Sequence, residues 1–406
     1  MVLRTAISTG AANGGCPAAN LRRKRWSVLG SKSQRNVIRS GSGRRPRRLR
    51  LAVLLLALLT PPVVQAFQGP ADVPAVPSAL SARVPLIAVT RAGQRIVAVG
   101  LRGDVVFSDD EGKTWAQASV PVSTDLVAVS FPTAKDGWAV GHGGVVIHSS
   151  DGGATWVKQM DGKQFSALAL NYYQKATAEK PSANLTPIYE QAKALSSADS
   201  TRALLDVYFE NDTSGFVVGA FNRIFHTEDG GKTWTPWMDR TNNPHELHFY
   251  SVHGGGGRIL LTGEQGMVWE LNRAQQVFEP KPTPYKGTLF GSVEAGNNLY
   301  VFGMRGSLFR SSDDGKTWVR IDVPSLAGVT GGIALADDGV LLVNQAGIAL
   351  LSHDGGKSFQ SVKLVRPMSY FGIGAASGSR VALVGSEGVR VEPLPQTSGH
   401  EVAAQH

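Results

Sequence analysis

The chain has 406 residues, of which 47 are glycine and 42% are hydrophobic, and a formal charge of +9, a composition that fits a folded protein and not a disordered one. The charge is segregated: residues 1–50 hold thirteen Lys or Arg and no acid, which leaves 28 basic against 32 acidic residues in the other 356. The basic balance is therefore no argument for a nucleic-acid-binding domain, and the single cysteine, Cys16, lies in the same basic segment, so the rest of the chain has no disulfide, cysteine nucleophile or cysteine metal site.

The basic segment ends in Arg44-Arg45-Pro46-Arg47-Arg48-Leu49-Arg50 and is followed by the apolar run Leu51 to Leu59 and then Val64-Gln65-Ala66. A charged region, a short apolar region and a small-residue site make up a secretory signal peptide. The run is too short for an ordinary transmembrane helix. We expect residues 1–66 to be a targeting leader cleaved after Ala66, giving an exported, periplasmic protein. The long region before the apolar run fits either a start codon set too far upstream or a two-part transit peptide. The paired arginines also occur in twin-arginine signals, and the route of export stays open.

From residue 97 onward a module repeats. Aliphatic runs ending in a glycine-containing turn occur at Val97 to Gly103, Trp138 to Gly144, Val217 to Arg223, Leu261 to Gly266, Val301 to Gly306, Leu342 to Gly347 and Leu383 to Gly388. The last positions of these turns are 40 to 43 residues apart except for one step of 79. A period near 41 with about four short strands per unit marks a β-propeller. We therefore expect an all-β, seven-bladed propeller over residues 67–394, with a helical insertion at 161–203 accounting for the long step and a disordered tail at 395–406.

After the third strand of five units comes an octet: Ser108 to Trp115, Ser149 to Trp156, Thr227 to Trp234, Ser311 to Trp318 and Ser352 to Phe359. Each suits a tight turn, because a carboxylate accepts backbone N–H bonds and glycine supplies the positive φ. The Ser or Thr hydroxyl closes the turn, and the aromatic starts the outer strand. The carboxylates given this role are Asp110, Asp151, Asp229, Asp314 and Asp354, and the aromatics are Trp115, Trp156, Trp234 and Trp318. The fourth unit has lost its octet, and the seventh stops near Leu394 without an outer strand. We expect the Pro-rich segment from Phe67 to Ala79 to supply that strand and close the ring. In the insertion, helices are expected over Phe165 to Lys180 and from Thr186, as cap, to about Ser197, with Pro187 at the first helical position.

Glycine turn, third strand, octet and seven units together resemble the Asp-box, or BNR-like, propellers, and most closely the photosystem II stability and assembly factor family. The closest lines are Gly141 to Trp156, Gly219 to Trp234 and Gly303 to Trp318. The resemblance covers the whole chain after the leader and implies a non-catalytic scaffold that holds membrane-protein subunits during assembly, in the thylakoid lumen where the organism is photosynthetic. It implies no cofactor and no nucleic-acid partner. Asp-box propellers also include sialidases and sortilin-type receptors, so a carbohydrate-binding or sialidase-like glycoside hydrolase propeller is the alternative.

Strand alternation puts the octets on one face of the ring and the glycine turns, with the links between blades, on the other. The second face carries Arg102, Arg223 and Arg305, together with His142, Glu264, Gln265, Gln345 and Glu387, and is the expected binding face, where arginines pair with a partner's carboxylates. Tyr172 and Tyr173 of the insertion are read as packing aromatics before contact aromatics. No catalytic set is assigned. A sialidase would need an arginine triad, for which only Arg102, Arg223 and Arg305 offer themselves, and a Tyr nucleophile, at Tyr250 with Glu246 or at Tyr285. The paired carboxylates of a glycosidase are missing from matching turns. His245, His248 and His253 fall within nine residues but are read as polar loop residues, so no metal site is assigned. Gly254 to Gly257 lacks the Lys and Ser/Thr of a phosphate loop. A monomer is expected.

Overall fold

The computed structural model describes residues 68–197 and 202–394; the leader, residue 67 and the tail from 395 lie outside them. Seven antiparallel sheets follow one another along the chain, at residues 86–117, 126–160, 204–236, 249–280, 289–320, 329–362 and 370–393. The first six have four strands in sequential order, and the seventh has three. Each inner strand lies against the next, and that of blade 7, Tyr370–Ala375, lies against that of blade 1, Leu86–Ala92. The result is a closed seven-bladed β-propeller. Small residues permit this approach at the axis: a Cβ on Gly331 would stand 3.2 Å from the Cα of Gly372 in the next blade. The second strands, such as Arg95–Gly100 and Arg380–Gly385, are buried on both faces between neighbouring blades and accordingly read as unbroken aliphatic runs.

The closing blade differs from expectation. The segment before residue 80 is not the fourth strand of blade 7. Instead Ala75 N donates to Val120 O, Ser123 N to Pro70 O and Lys158 Nζ to Ala71 O and Asp72, which lays the segment across blades 1 and 2. Pro70, Pro74 and Pro77 have no N–H to donate, and a ladder cannot form through them. The ring closes by side-chain packing. Leu86, Ala98 and Val106 of blade 1 meet Val384 and Val389 of blade 7, and Trp115 packs on Ile96, Ala382 and Val391. Arg380 Nη2 donates to Val391 O at 2.8 Å on the last strand, and the single helical turn Ser81–Arg83 lies beside the same strand. Both blunt its edge.

The insertion is a helical hairpin, α1 (Gly162–Glu179) and α2 (Leu185–Ser197). Asp161 caps α1 through a capping box with Gln164. The second helix starts one residue before Thr186, and its Leu185 N–H donates to the Ser182 hydroxyl, so Thr186 is not the cap and Pro187 is third in the helix. Phe165 packs on Phe225 and Trp234 of blade 3, and the buried Tyr173 donates its hydroxyl to Asp239 at 2.8 Å. Among the described residues no helix is long and apolar enough to cross a membrane.

The octets show one geometry. In blade 2, Ser149 Oγ donates to Asp151 Oδ1 and accepts from Gly153 N, while Asp151 accepts from Thr155 N at 2.9 Å and from the Thr155 hydroxyl at 2.7 Å. Asp110, Asp229 and Asp354 repeat this. In blade 5 the carboxylate that does so is Asp313, which binds Thr317 N and Oγ1. Asp314 therefore loses the role expected of it: it stands at positive φ at the tip of the turn and pairs outward with Arg258 of blade 4.

These bonds hold Asp110 and Asp313 down to about 2, in each case chiefly through the hydroxyl of the following Thr114 or Thr317. A carboxylate whose folded value lies below its unfolded value of about 3.9 stabilises the fold above that value and ceases to do so as pH falls through the folded one. The thermal midpoint is therefore expected to be flat above about pH 5 and to fall between about pH 4 and pH 2. A scan of the midpoint against pH that stays level down to pH 2 contradicts this reading of the turns.

Candidate partner-binding face

The two ends of the ring are built differently. On one, the octet tips meet the hairpins between first and second strands, as in Gly152 N to Lys135 O and Gly230 N to Thr213 O. On the other, each glycine turn meets the link into the next blade: a Cβ at Gly103, Gly266 or Gly306 would stand 2.0 to 2.2 Å from the carbonyl oxygen of Val122, Tyr285 or Ser325. Glycine is required there twice over, since the φ values are +75°, +70° and +65°.

The residue before that glycine also takes a left-handed conformation. Arg102, Gln265 and Arg305 have φ of 56°, 55° and 57°, which costs a non-glycine residue about 1 kcal/mol or more. Such strain is a reason to look for function at the position. Arg102 and Arg305 are exposed there, on blades 1 and 5. The Arg102 backbone N–H is fixed by Asp125 Oδ1 at 2.9 Å, and the other oxygen of Asp125 lies 3.7 Å from His142 Nδ1. Asp125 thus holds two adjacent turns.

Arg223 does not belong to this set. In blade 3 the left-handed positions are Phe221 and Asn222, so Asn222 stands where the other blades have glycine and Arg223 comes one residue later, just before the third strand, Ile224–Thr227. It is 1% exposed, donates to Arg202 O at 3.3 Å and lies over the Phe225 ring. Burial, and then the neighbouring Arg202, push its guanidinium down to about 10. It cannot meet a partner from this position.

The remaining expected residues are on the face with distinct partners. Glu264 accepts the His248 backbone N–H at 3.0 Å and lies 3.0 Å from its ring, which holds the Glu264 carboxyl below its ordinary range. Gln345 donates its backbone N–H to Gly328 O. Glu387 is exposed and pairs with Arg390, which neutralises it. Sequence reading missed further exposed cations in the links, Arg83, Lys286 and Arg366, and the apolar Leu326 and Val365, which are 82% and 73% exposed. The link sequences carry that signal, at the end of the ring where strand alternation already put them with the glycine turns.

The residues of the sialidase pattern are dispersed. Arg102, Arg223 and Arg305 stand on three separate blades, Tyr250 is buried against Phe290, and the Tyr285 hydroxyl donates to Met304 O. His248 sits on Glu264 under Phe221, His253 is beside Tyr208, and His245 is on the exposed link. Among the described residues no three His, Cys, Asp or Glu side chains gather as a metal would require.

Comparison with known proteins agrees with this architecture. The family described as photosynthesis system II assembly factor YCF48 matches residues 87–166 and 190–279. No curated protein matches the chain. Among solved structures, YCF48 bound to a D1 peptide is 16% identical, with a TM-score of 0.57 over 80% of this chain and 100% of its own. YCF48 from Cyanidioschyzon merolae is 17% identical, with a TM-score of 0.58 over 78% of this chain and 97% of its own. The Cps50 (Swd1) propeller domain of Myceliophteria thermophila is 10% identical, with a TM-score of 0.54 over 78% of this chain and 96% of its own. At such identities the structures speak for the fold alone, and the family match covers under half of the chain. Repeat and blade number make this chain a seven-bladed β-propeller, and its matched repeats are similar to those of the photosystem II assembly factor family.

Proposed function

We propose that the chain is a non-catalytic scaffold that holds an acidic, solvent-exposed segment of a membrane-protein partner on its glycine-turn face, as an exported monomer. The observation that carries this reading is the pair Arg102 and Arg305, held exposed on one face by strained turns that the ring fixes in place. A guanidinium so placed loses little freedom on pairing with a carboxylate and can do so through two N–H groups. That a YCF48 has been solved with a D1 peptide supports the kind of partner, a segment of a membrane protein. The lack of cysteine after residue 16 is compatible with export.

A peptide of D1 titrated onto the protein tests this. Replacing Arg102 and Arg305 together by alanine is expected to weaken binding at least tenfold, and salt should weaken the wild-type complex in the same direction. Lys135→Ala, on the opposite face, should leave affinity unchanged. Equal affinity for wild type and the double variant would refute the assignment.

A further inference from the structure

Wherever a blade carries the octet, its glycine tip is seated in the blade before it. A Cβ on Gly153 would stand 3.2 Å from Val97, one on Gly231 2.3 Å from Gln159, one on Gly356 2.2 Å from Tyr300 and one on Gly112 2.4 Å from Val391. The receiving blade also donates to the tip: Arg95 to the carbonyls of Asp151 and Gly152, Gln159 to Gly230 O, Lys281 to Asp314 O and Arg310 to Gly355 O. The receptor positions repeat. Trp138, Phe216 and Tyr300 occupy the same place on second strands, paired with His148, His226 and Arg310 of the third.

Blade 4 has no octet. Four residues join its third and fourth strands, against seven in blade 1, in a turn tied by Asn272 Oδ1 to Ala274 N and Gln275 N. Among the described residues no octet therefore fills the receptor of blade 3, and a cavity of about 140 Å³ lies between the two blades, backed by Phe216, His226, Trp237 and Leu271 and rimmed by Glu228 and Gln276. Its apolar back is prearranged: His226 stacks on Phe216 at 4.3 Å, and Trp237 meets both rings. Burial pushes the His226 imidazole down, and Arg240 lies over Trp237 while donating to Gln276. Blade 7 also lacks an octet, but Leu394 packs against the cluster that blades 6 and 7 share.

We propose that this socket between blades 3 and 4 takes a glycine-tipped tight turn of a partner polypeptide, as its counterparts take the protein's own octets. The occupied sockets specify the ligand. Its tip must be glycine, because a Cβ in those sockets meets side chains at 2.2 to 3.2 Å, and its carbonyls must face donors on the socket rim, here His226, Gln276 and Arg273, the last paired with Glu210 on the same rim. The site lies on the octet face, opposite the glycine turns, and does not rest on the function proposed for them.

The test uses the full chain and a disulfide-cyclised hairpin peptide with the sequence Ser149 to Trp156. Isotope-edited NMR is expected to show saturable shifts at the Trp237 indole and His226. Affinity should fall at least tenfold when both peptide glycines become alanine, and likewise in Ser214→Trp, which plugs the socket mouth. In a second variant residues 273–276 are replaced by the octet loop 150–156. It should also lose the peptide, and its thermal midpoint should rise as the graft seats itself. Absence of saturable shifts in the wild type, equal binding of the alanine peptide, or undiminished binding by either folded variant would overturn the proposal, as would a free amine or sugar taking the socket in the peptide's place.

Discussion

Trp138→Ala is expected to destabilise the propeller by about 3–5 kcal/mol, the range for removing a large aromatic from a close-packed core, read as a lower urea midpoint at unchanged slope. Trp138 is 1% exposed and stacks on Phe209 of the next blade with centroids 3.6 Å apart and planes 6° from parallel. Its other face meets His148 at 4.7 Å, and its indole N–H donates to Gln159. Gln159 in turn donates to the octet tip at Gly230. One side chain thus joins the second strand of blade 2, the inner strand of blade 3 and the octet of blade 3, and a cavity at this place cannot be filled by one blade relaxing alone. Trp138→Phe keeps the stacking but loses the indole donor and some volume, and should cost about a third as much. Equal midpoints for Trp138→Ala and wild type would mean that blades are not held by their facing second strands.

Gly306→Ala is expected to cost about 2–4 kcal/mol, a large effect for a single methyl group. The residue has φ +65°, and its Cβ would stand 2.2 Å from Ser325 O, a backbone atom that cannot rotate away. Either the turn or the link from blade 5 to blade 6 must shift. Because Arg305 precedes this glycine, the same substitution displaces a guanidinium on the proposed binding face. The expected result is a lower thermal midpoint together with a loss of peptide affinity comparable to that of Arg305→Ala. Gly257→Ala, at φ +85° but with nothing within 4 Å of the added methyl, separates conformational strain from clash and should be the milder of the two.

Architecture was legible in the sequence because it is written several times. A period near 41 residues survives the loss of any one copy, and the octets pin the third strand of each unit. Errors arose where one copy departed from the others by a residue. In blade 3, Asn222 adopts the left-handed conformation that glycine has elsewhere, which the side-chain order does not announce, and the reading slipped onto Arg223. In blade 5 two adjacent acids compete, and the Ser311 and Thr317 hydroxyls both single out Asp313, the third residue of its octet as in the other blades. The closing strand failed for a different reason. Extended, Pro-rich sequence says that a segment is not helical, but it does not say which neighbour it crosses, and its few N–H groups found blades 1 and 2. The open socket was invisible because it is an absence in blade 4 that acquires meaning only when blade 3 is seen to face it.

Two faces of one rigid ring follow, one of glycine turns presenting cations and one of octets locked into their neighbours. The most direct test of that division is amide hydrogen exchange of the full chain with and without a saturating D1 peptide. The account predicts new protection confined to the turns at 101–104 and 304–307 and to the adjoining links. Protection centred on the octet loops, or none at any turn while the peptide is bound, would contradict it.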